Sequence, residues 1–187
     1  LKSFGVEKDL VHPEFTEEEI DEFLVQVKQE LPFPPYDFQE IAFKESILNY
    51  KQINRMCTSS GKSMTISLIA EFFRRKGMKG LLLVPNINLL TQFKQDISDY
   101  NLTELYEDSH TIGGGSTERH FNNSLTISTW QSLLNYKEDL GELDYIITDE
   151  SHRFASLETS AIVKETLNCK FKFGFTGTLS EDPSMKM

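Results

Sequence analysis

Two cysteines, one tryptophan and six prolines are all that 187 residues contain of those types. Cys57 and Cys169 stand far apart with no metal-ligand spacing around them. A zinc module or a disulfide scaffold is therefore excluded, and a reducing compartment is predicted. Long apolar runs are also missing. The longest, such as Gly80 to Val84 and Tyr145 to Ile147, fall far short of the roughly twenty residues that a membrane-spanning helix needs. No basic, apolar leader is present, so the expectation is a cytoplasmic protein without a membrane partner. Positive charge is scarce as well: 19 Lys and Arg stand against 29 Asp and Glu, for a net charge of −10. Taken whole, that balance argues against a nucleic-acid binder. The acidity is concentrated, however. Residues 1–40 hold 3 Lys and 11 acidic residues, whereas residues 41–187 hold 16 basic and 18 acidic ones. The body of the chain is nearly neutral, which leaves room for a local basic groove.

The hydrophobic pattern divides the chain into an N-terminal segment, residues 1–34, and one domain, residues 35–187. In the first, Phe15-Thr16-Glu17-Glu18-Glu19-Ile20 has the form of a capping box with a hydrophobic staple. Ile20, Phe23, Leu24, Val27 and Leu31 then recur at helical spacing. Pro32, Pro34 and Pro35 end this acidic helix and form a stiff connector. Beyond it helices and strands alternate. Helices are predicted over 38–49, 62–76, 87–99 and 157–167, and strands over 52–57, 80–84, 125–129, 145–148 and 170–175. The polar, Gly-rich stretch 101–124 is predicted to be mostly loop. Such alternation implies an α/β fold with a mainly parallel sheet covered by helices on both faces. In 170–175 the alternating Phe171, Phe173 and Phe175 are expected in the core, and Trp130 is expected as a packing anchor. His110 and His120 are read as surface residues, and the Arg74-Arg75-Lys76 cluster as a complement to a helix dipole.

Two motifs carry chemistry. Met56-Cys57-Thr58-Ser59-Ser60-Gly61-Lys62-Ser63 follows a strand and opens a helix. Small residues in a tight turn let backbone N–H groups converge on a phosphate at the positive end of that helix. Lys62 would meet the terminal phosphates and Ser63 would hold Mg²⁺. The general pattern has Gly where Met56 stands. The second motif is Tyr145-Ile146-Ile147-Thr148-Asp149-Glu150-Ser151-His152, an apolar strand ending in two carboxylates and a histidine. In a parallel sheet ligands bind beyond the carboxyl ends of the strands, so this end and the phosphate loop would share a crevice. Asp149 can hold Mg²⁺, and Glu150 can take a proton from a water attacking the γ-phosphate.

With these motifs in this order, the chain resembles the superfamily 2 helicases and translocases. Asp149-Glu150-Ser151-His152 is similar to their DEAH box, with Ser151 replacing Ala. Pro35 to Gln39 resembles their glutamine motif, Val84 to Gln92 and Ile127 to Gln131 resemble their nucleic-acid motifs, and Phe175 to Thr178 resembles motif III. Finer details, among them Ile112 to Gly115, resemble the phage recombination helicases that remodel branched DNA. The resemblance covers residues 35 to about 180 and implies a RecA-like P-loop NTPase domain, the first of two. It also implies roles. ATP and Mg²⁺ would be held by Gln39, which would read the adenine, and by Thr58, Ser59, Ser60, Gly61, Lys62, Ser63 and Asp149. Catalysis would rest on Glu150, Lys62, Asp149 and His152. Branched or duplex DNA would cross Pro85, Asn86, Gly113, Gly114, Thr129 and Gln131. Thr176 and Thr178 would couple the two sites. Asn86 and Ile87 replace the usual Thr-Arg, which removes one expected phosphate contact. A second RecA-like domain would complete the motor. Two other functions fit the same motifs: a restriction-type translocase subunit, and a nucleotide-gated DNA-binding module without turnover.

Overall fold

A computed structural model describes residues 14–57, 60–113, 120–133, 140, 142–150 and 169–177. Six strands form one sheet: β1 (Lys51–Arg55), β2 (Gly80–Val84), β3 (Ser109–Ile112), β4 (Leu125–Thr129), β5 (Tyr145–Asp149) and β6 (Phe171–Thr176). Their order is β1-β6-β5-β2-β4-β3, and every pairing is parallel. The helices between them are α1 (Glu17–Glu30), α2 (Asp37–Asn49), α3 (Lys62–Arg75), α4 (Ile87–Asp99), α5 (Thr103–Glu107) and α6 (Trp130–Leu133). None of the described helices is long and apolar enough to cross a membrane.

Strand side chains alternate between the faces of the sheet, and the core follows that parity. Leu82, Val84, Tyr145, Ile147, Phe171, Phe173 and Phe175 join the large cluster beneath α1 to α5. Leu81, Leu83 and Ile146 enter a second cluster on the opposite face, with Leu133, Leu143 and Cys169, and Trp130 packs against it. Burial on both faces explains why β2 and β5 read as unbroken apolar runs. The aromatic stripe of β6 is core, as its alternation predicts. Phe73 is its hub, with ring centroids 4.5 Å from Tyr145 and 4.8 Å from Phe171.

The acidic first helix is part of the same body. Its capping box is present: Glu19 N–H donates to Thr16 Oγ1 at 3.2 Å and Thr16 N–H to Glu19 Oε2 at 2.9 Å. Ile20, Phe23, Leu24 and Val27 are buried in the large cluster, and Phe15 and Phe23 meet Phe72 edge-on. Residues 31–36 therefore connect two packed helices.

The structure corrects several expectations. Residues 101–124, expected to be mostly loop, hold α5 and β3 among their described residues. β3 is an edge strand with a half-exposed centre, so its alternation carries little apolar signal. His110 and His120 stack on each other, ring centroids 4.5 Å apart. Arg74 and Arg75 do more than complement a dipole. Both grip Glu71, which is 2% exposed, at 2.7–2.9 Å. Arg74 also meets Glu104 at 2.7 Å, and Arg75 meets Glu30 at 2.6 Å. The cluster thus ties α3 to α5 and α1. The helix expected over 157–167 lies outside the described residues.

Candidate nucleotide site

A parallel sheet brings all strand carboxyl ends to one edge, and register fixes which meet there. Arg55 lies opposite Thr176, and Asp149 opposite Phe175. Val84 lies opposite Thr129, and Ile112 opposite Ser128. The sheet order therefore divides the edge. The phosphate-loop strand β1, the motif III strand β6 and the acidic strand β5 occupy one half. The loops after β2, β3 and β4 occupy the other.

On the first half, Gly61 adopts a left-handed backbone (φ 72°) and begins α3. Lys62 and Ser63 are the first two residues of that helix, where unpaired N–H groups and the helix dipole favour an anion. The Ser60 hydroxyl is buried there with no hydrogen-bond partner among the described residues. Lys62 reaches across to the acidic strand. Its Nζ lies 2.7 Å from Glu150 Oε1 and 3.9 Å from Asp149 Oδ1. Asp149 is the last residue of β5 and is buried, while Glu150 turns out of the strand with φ 53°. A left-handed backbone is costly for a side chain larger than glycine. Here it sends the Glu150 carboxylate back over the loop. Thr176, 1% exposed at the end of β6, sits between the two motifs, and its carbonyl accepts from Met56 N–H at 3.0 Å.

Two expected ligands have other engagements. Gln39 is 3% exposed, and its amide donates to the carbonyls of Ser60 (2.9 Å) and Gly61 (3.1 Å) while accepting from Tyr36 N–H (2.9 Å). Both amide hydrogens thus hold the phosphate loop itself, a contact that sequence conceals because the partners are backbone atoms. Ser63 Oγ lies 2.7 Å from the Tyr100 hydroxyl at the end of α4. The donors near the loop, a serine hydroxyl and buried carboxylates, are hard oxygen ligands of the kind Mg²⁺ takes. That ion uses one or two carboxylates alongside phosphate oxygens and water. Among the described residues no cluster of three or more His, Cys, Asp or Glu suits a different metal.

On the second half, Asn86 caps α4, its side chain accepting from Leu89 N–H at 3.0 Å. Thr129 is buried and bonded to Ser132 Oγ at 2.9 Å. Gly113 (φ 139°) packs so near that a Cβ there would meet Ser132 Oγ at 3.1 Å. Pro85 is half-buried and Gln131 exposed. These residues are brought together, and Asn86 and Gln131 are the exposed polar side chains among them. Thr58, Ser59, Gly114, His152 and Thr178 lie outside the described residues.

A family model described as type III restriction enzyme, res subunit, matches residues 33–181. The ATP-dependent DNA helicase uvsW of Enterobacteria phage T4 is 30% identical over 151 residues, 79% of this chain and 30% of that protein. The DNA 3'-5' translocase XPB2 of Sulfurisphaera tokodaii is 30% identical over 176 residues, 90% of this chain and 37% of that protein. The crystal structure of the UvsW helicase from bacteriophage T4 superposes with a TM-score of 0.77 at 29% identity, covering 90% of this chain and 62% of that one. The chain thus spans about a third of the length of the curated relatives it matches.

Proposed function

Because the chain belongs to the family of the type III restriction enzyme res subunit and is a first RecA-like domain of the superfamily 2 helicase kind, we propose that it is the nucleotide-binding half of an ATP-dependent motor acting on DNA. One observation carries this reading. The phosphate-loop lysine and the acidic pair, 88 positions apart, converge with Lys62 on Glu150 at 2.7 Å. A structural turn has no need of that convergence. An ATP-hydrolysing site needs a cation for the terminal phosphates beside a carboxylate for the attacking water.

The roles follow from the geometry. The loop's backbone N–H groups, Ser60 Oγ and Lys62 bind the phosphates. In doing so Lys62 leaves Glu150, which frees that carboxylate to orient a water and accept its proton. Mg²⁺, when bound with the nucleotide, neutralises charge on the phosphate oxygens, and Ser63 and Asp149 are the residues that would hold it. Gln39 keeps the loop in shape, so its influence on ATP is exerted through the loop. DNA, duplex or branched, lies over the other half of the edge near Pro85, Asn86, Gly113, Thr129 and Gln131. Thr176 stands between the halves as the coupling residue. A second RecA-like domain supplies the opposing wall.

The test is a pair of substitutions in the intact protein. Glu150→Gln is expected to keep ATP affinity and lose turnover, because the amide preserves shape and accepts no proton. Lys62→Ala is expected to lose affinity, measured by equilibrium binding of a fluorescent ATP analogue. Normal hydrolysis by Glu150→Gln would assign the base elsewhere. Wild-type ATP binding without DNA-stimulated turnover would make this a nucleotide-gated binding module.

A further inference from the structure

The second residue of α3 and the last turn of α4 are joined at a single atom. Ser63 Oγ meets the Tyr100 hydroxyl at 2.7 Å. Tyr100 is the C-cap of α4, and its ring is braced edge-on by Phe33, centroids 6.0 Å apart at 89°. Asp96 lies one turn earlier on α4. Burial pushes its carboxyl up, and the hydrogen bond from Ser63 pulls it back. A serine hydroxyl has one proton and two lone pairs. The bond to Tyr100 engages either that proton or one lone pair, so at least one lone pair remains, and a hard cation binds through such a lone pair. The motif explains Ser63. It gives no reason for a tyrosine to be trained on it from another helix.

We propose that Tyr100 is a positioning residue that orients the Ser63 hydroxyl as a ligand for the metal accompanying the nucleotide. This inference rests on the nucleotide reading of the phosphate loop. It also adds a connection. α4 starts at Pro85 and Asn86, on the half of the edge assigned to DNA, and ends at Tyr100, on the metal ligand. One rigid helix therefore touches both sites.

The experiment measures nucleotide binding by the intact protein, using ADP with calorimetry, in excess EDTA and across a Mg²⁺ titration. Tyr100→Phe keeps the ring and its packing on Phe33 and removes only the hydroxyl. It is expected to leave the metal-free affinity and the melting temperature unchanged and to raise the Mg²⁺ midpoint about three- to tenfold, the size of one neutral hydrogen bond. Tyr100→Met, which also lacks the hydroxyl, is expected to shift the same midpoint in the same direction and serves if Tyr100→Phe folds poorly. Ser63→Ala is the reference and is expected to shift it at least as far. A normal midpoint in Tyr100→Phe, or in Tyr100→Met where Tyr100→Phe folds poorly, beside a shifted one in Ser63→Ala overturns the proposal alone. An unmoved midpoint in Ser63→Ala removes Ser63 from the metal and overturns the proposal with it. Loss of ADP binding by Lys62→Ala in EDTA, measured alongside, reports separately on the phosphate-loop reading.

Discussion

Gly61 and Gly80 are positions where one methyl group decides the outcome. A Cβ on Gly61 would lie 2.4 Å from Gln39 Nε2, on a backbone already left-handed. Gly61→Ala should therefore break the amide clamp on the loop, weaken ATP binding and lower the unfolding midpoint, because alanine is strained at a positive φ. Fluorescent-analogue titration beside urea denaturation checks both. At Gly80 the intruding Cβ would lie 2.2 Å from the ring of Tyr145, which is fully buried, stacked on Phe73 and donating to Ser124 O at 2.9 Å. That ring has no space to yield, so Gly80→Ala should destabilise by about 3 kcal/mol, read from the urea midpoint. Cys169 offers a third test. Burial pushes its thiol up to about 11, so at pH 8 it carries almost no thiolate. Exposed Cys57, inside the phosphate loop, should be alkylated first in the native protein, and ATP should slow that reaction. Lys62, Asp149 and Glu150 were legible in the sequence because a phosphate site needs those residue types at fixed places around a strand end. The bond from Gln39 to the loop carbonyls and that from Tyr100 to Ser63 were not legible, since neither a backbone acceptor nor a contact between distant helices leaves a local pattern.

At the scale of elements, α1, α3, α4 and the central strands were legible because each has a strong period or an unbroken apolar run. α5, α6 and β3 escaped because they are short and half polar. The first helix shows its physics most openly. The Thr16 N–H and then the Lys76 ammonium hold the Glu19 carboxyl below its ordinary range. A carboxyl lowered in the folded state contributes stability that is complete above its unfolded value and lost as the pH falls through the lowered one. Acid titration of the urea midpoint should show this loss below the ordinary carboxylate range, and Glu19→Gln should flatten that part of the curve. Thr16→Ala should cost about 1 kcal/mol at neutral pH. The arginine pair on α3 predicts a larger effect. Glu71→Ala strips the shared partner from two half-buried guanidiniums, and breaking a buried pair from one side costs about 3–5 kcal/mol. Retention of most stability in that variant would mean that Glu30 and Glu104 suffice to hold Arg74 and Arg75.

For the molecule as a whole, the division of the sheet edge sets what the chain does alone. Phosphoryl transfer spreads charge over the γ-phosphate, and an arginine that neutralises it is worth on the order of 10³–10⁵ in rate. Among the described residues, Arg74 and Arg75 are committed to glutamates and Arg55 ends the edge strand β1. We expect these 187 residues by themselves to bind ATP and to hydrolyse it at a low rate that branched DNA scarcely changes. Brisk DNA-stimulated hydrolysis by the monomer would place the missing arginine inside this chain. The sheet order also governs when the site comes into being. Lys51 lies opposite Lys172, and among the described strands β6 is the sole neighbour of β1. Of the six described strands a ribosome delivers β1 first and its partner β6 last. Throughout that interval the phosphate loop hangs from a strand with both edges open, beside the exposed side chains of Phe38, Ile41 and Ile53. Within this sheet the phosphate-loop strand is thus the first synthesised and the last to lock. Its nascent form is where a chaperone has most to shield, and where a premature stop before residue 171 leaves a finished-looking sequence with no grip on its own catalytic loop.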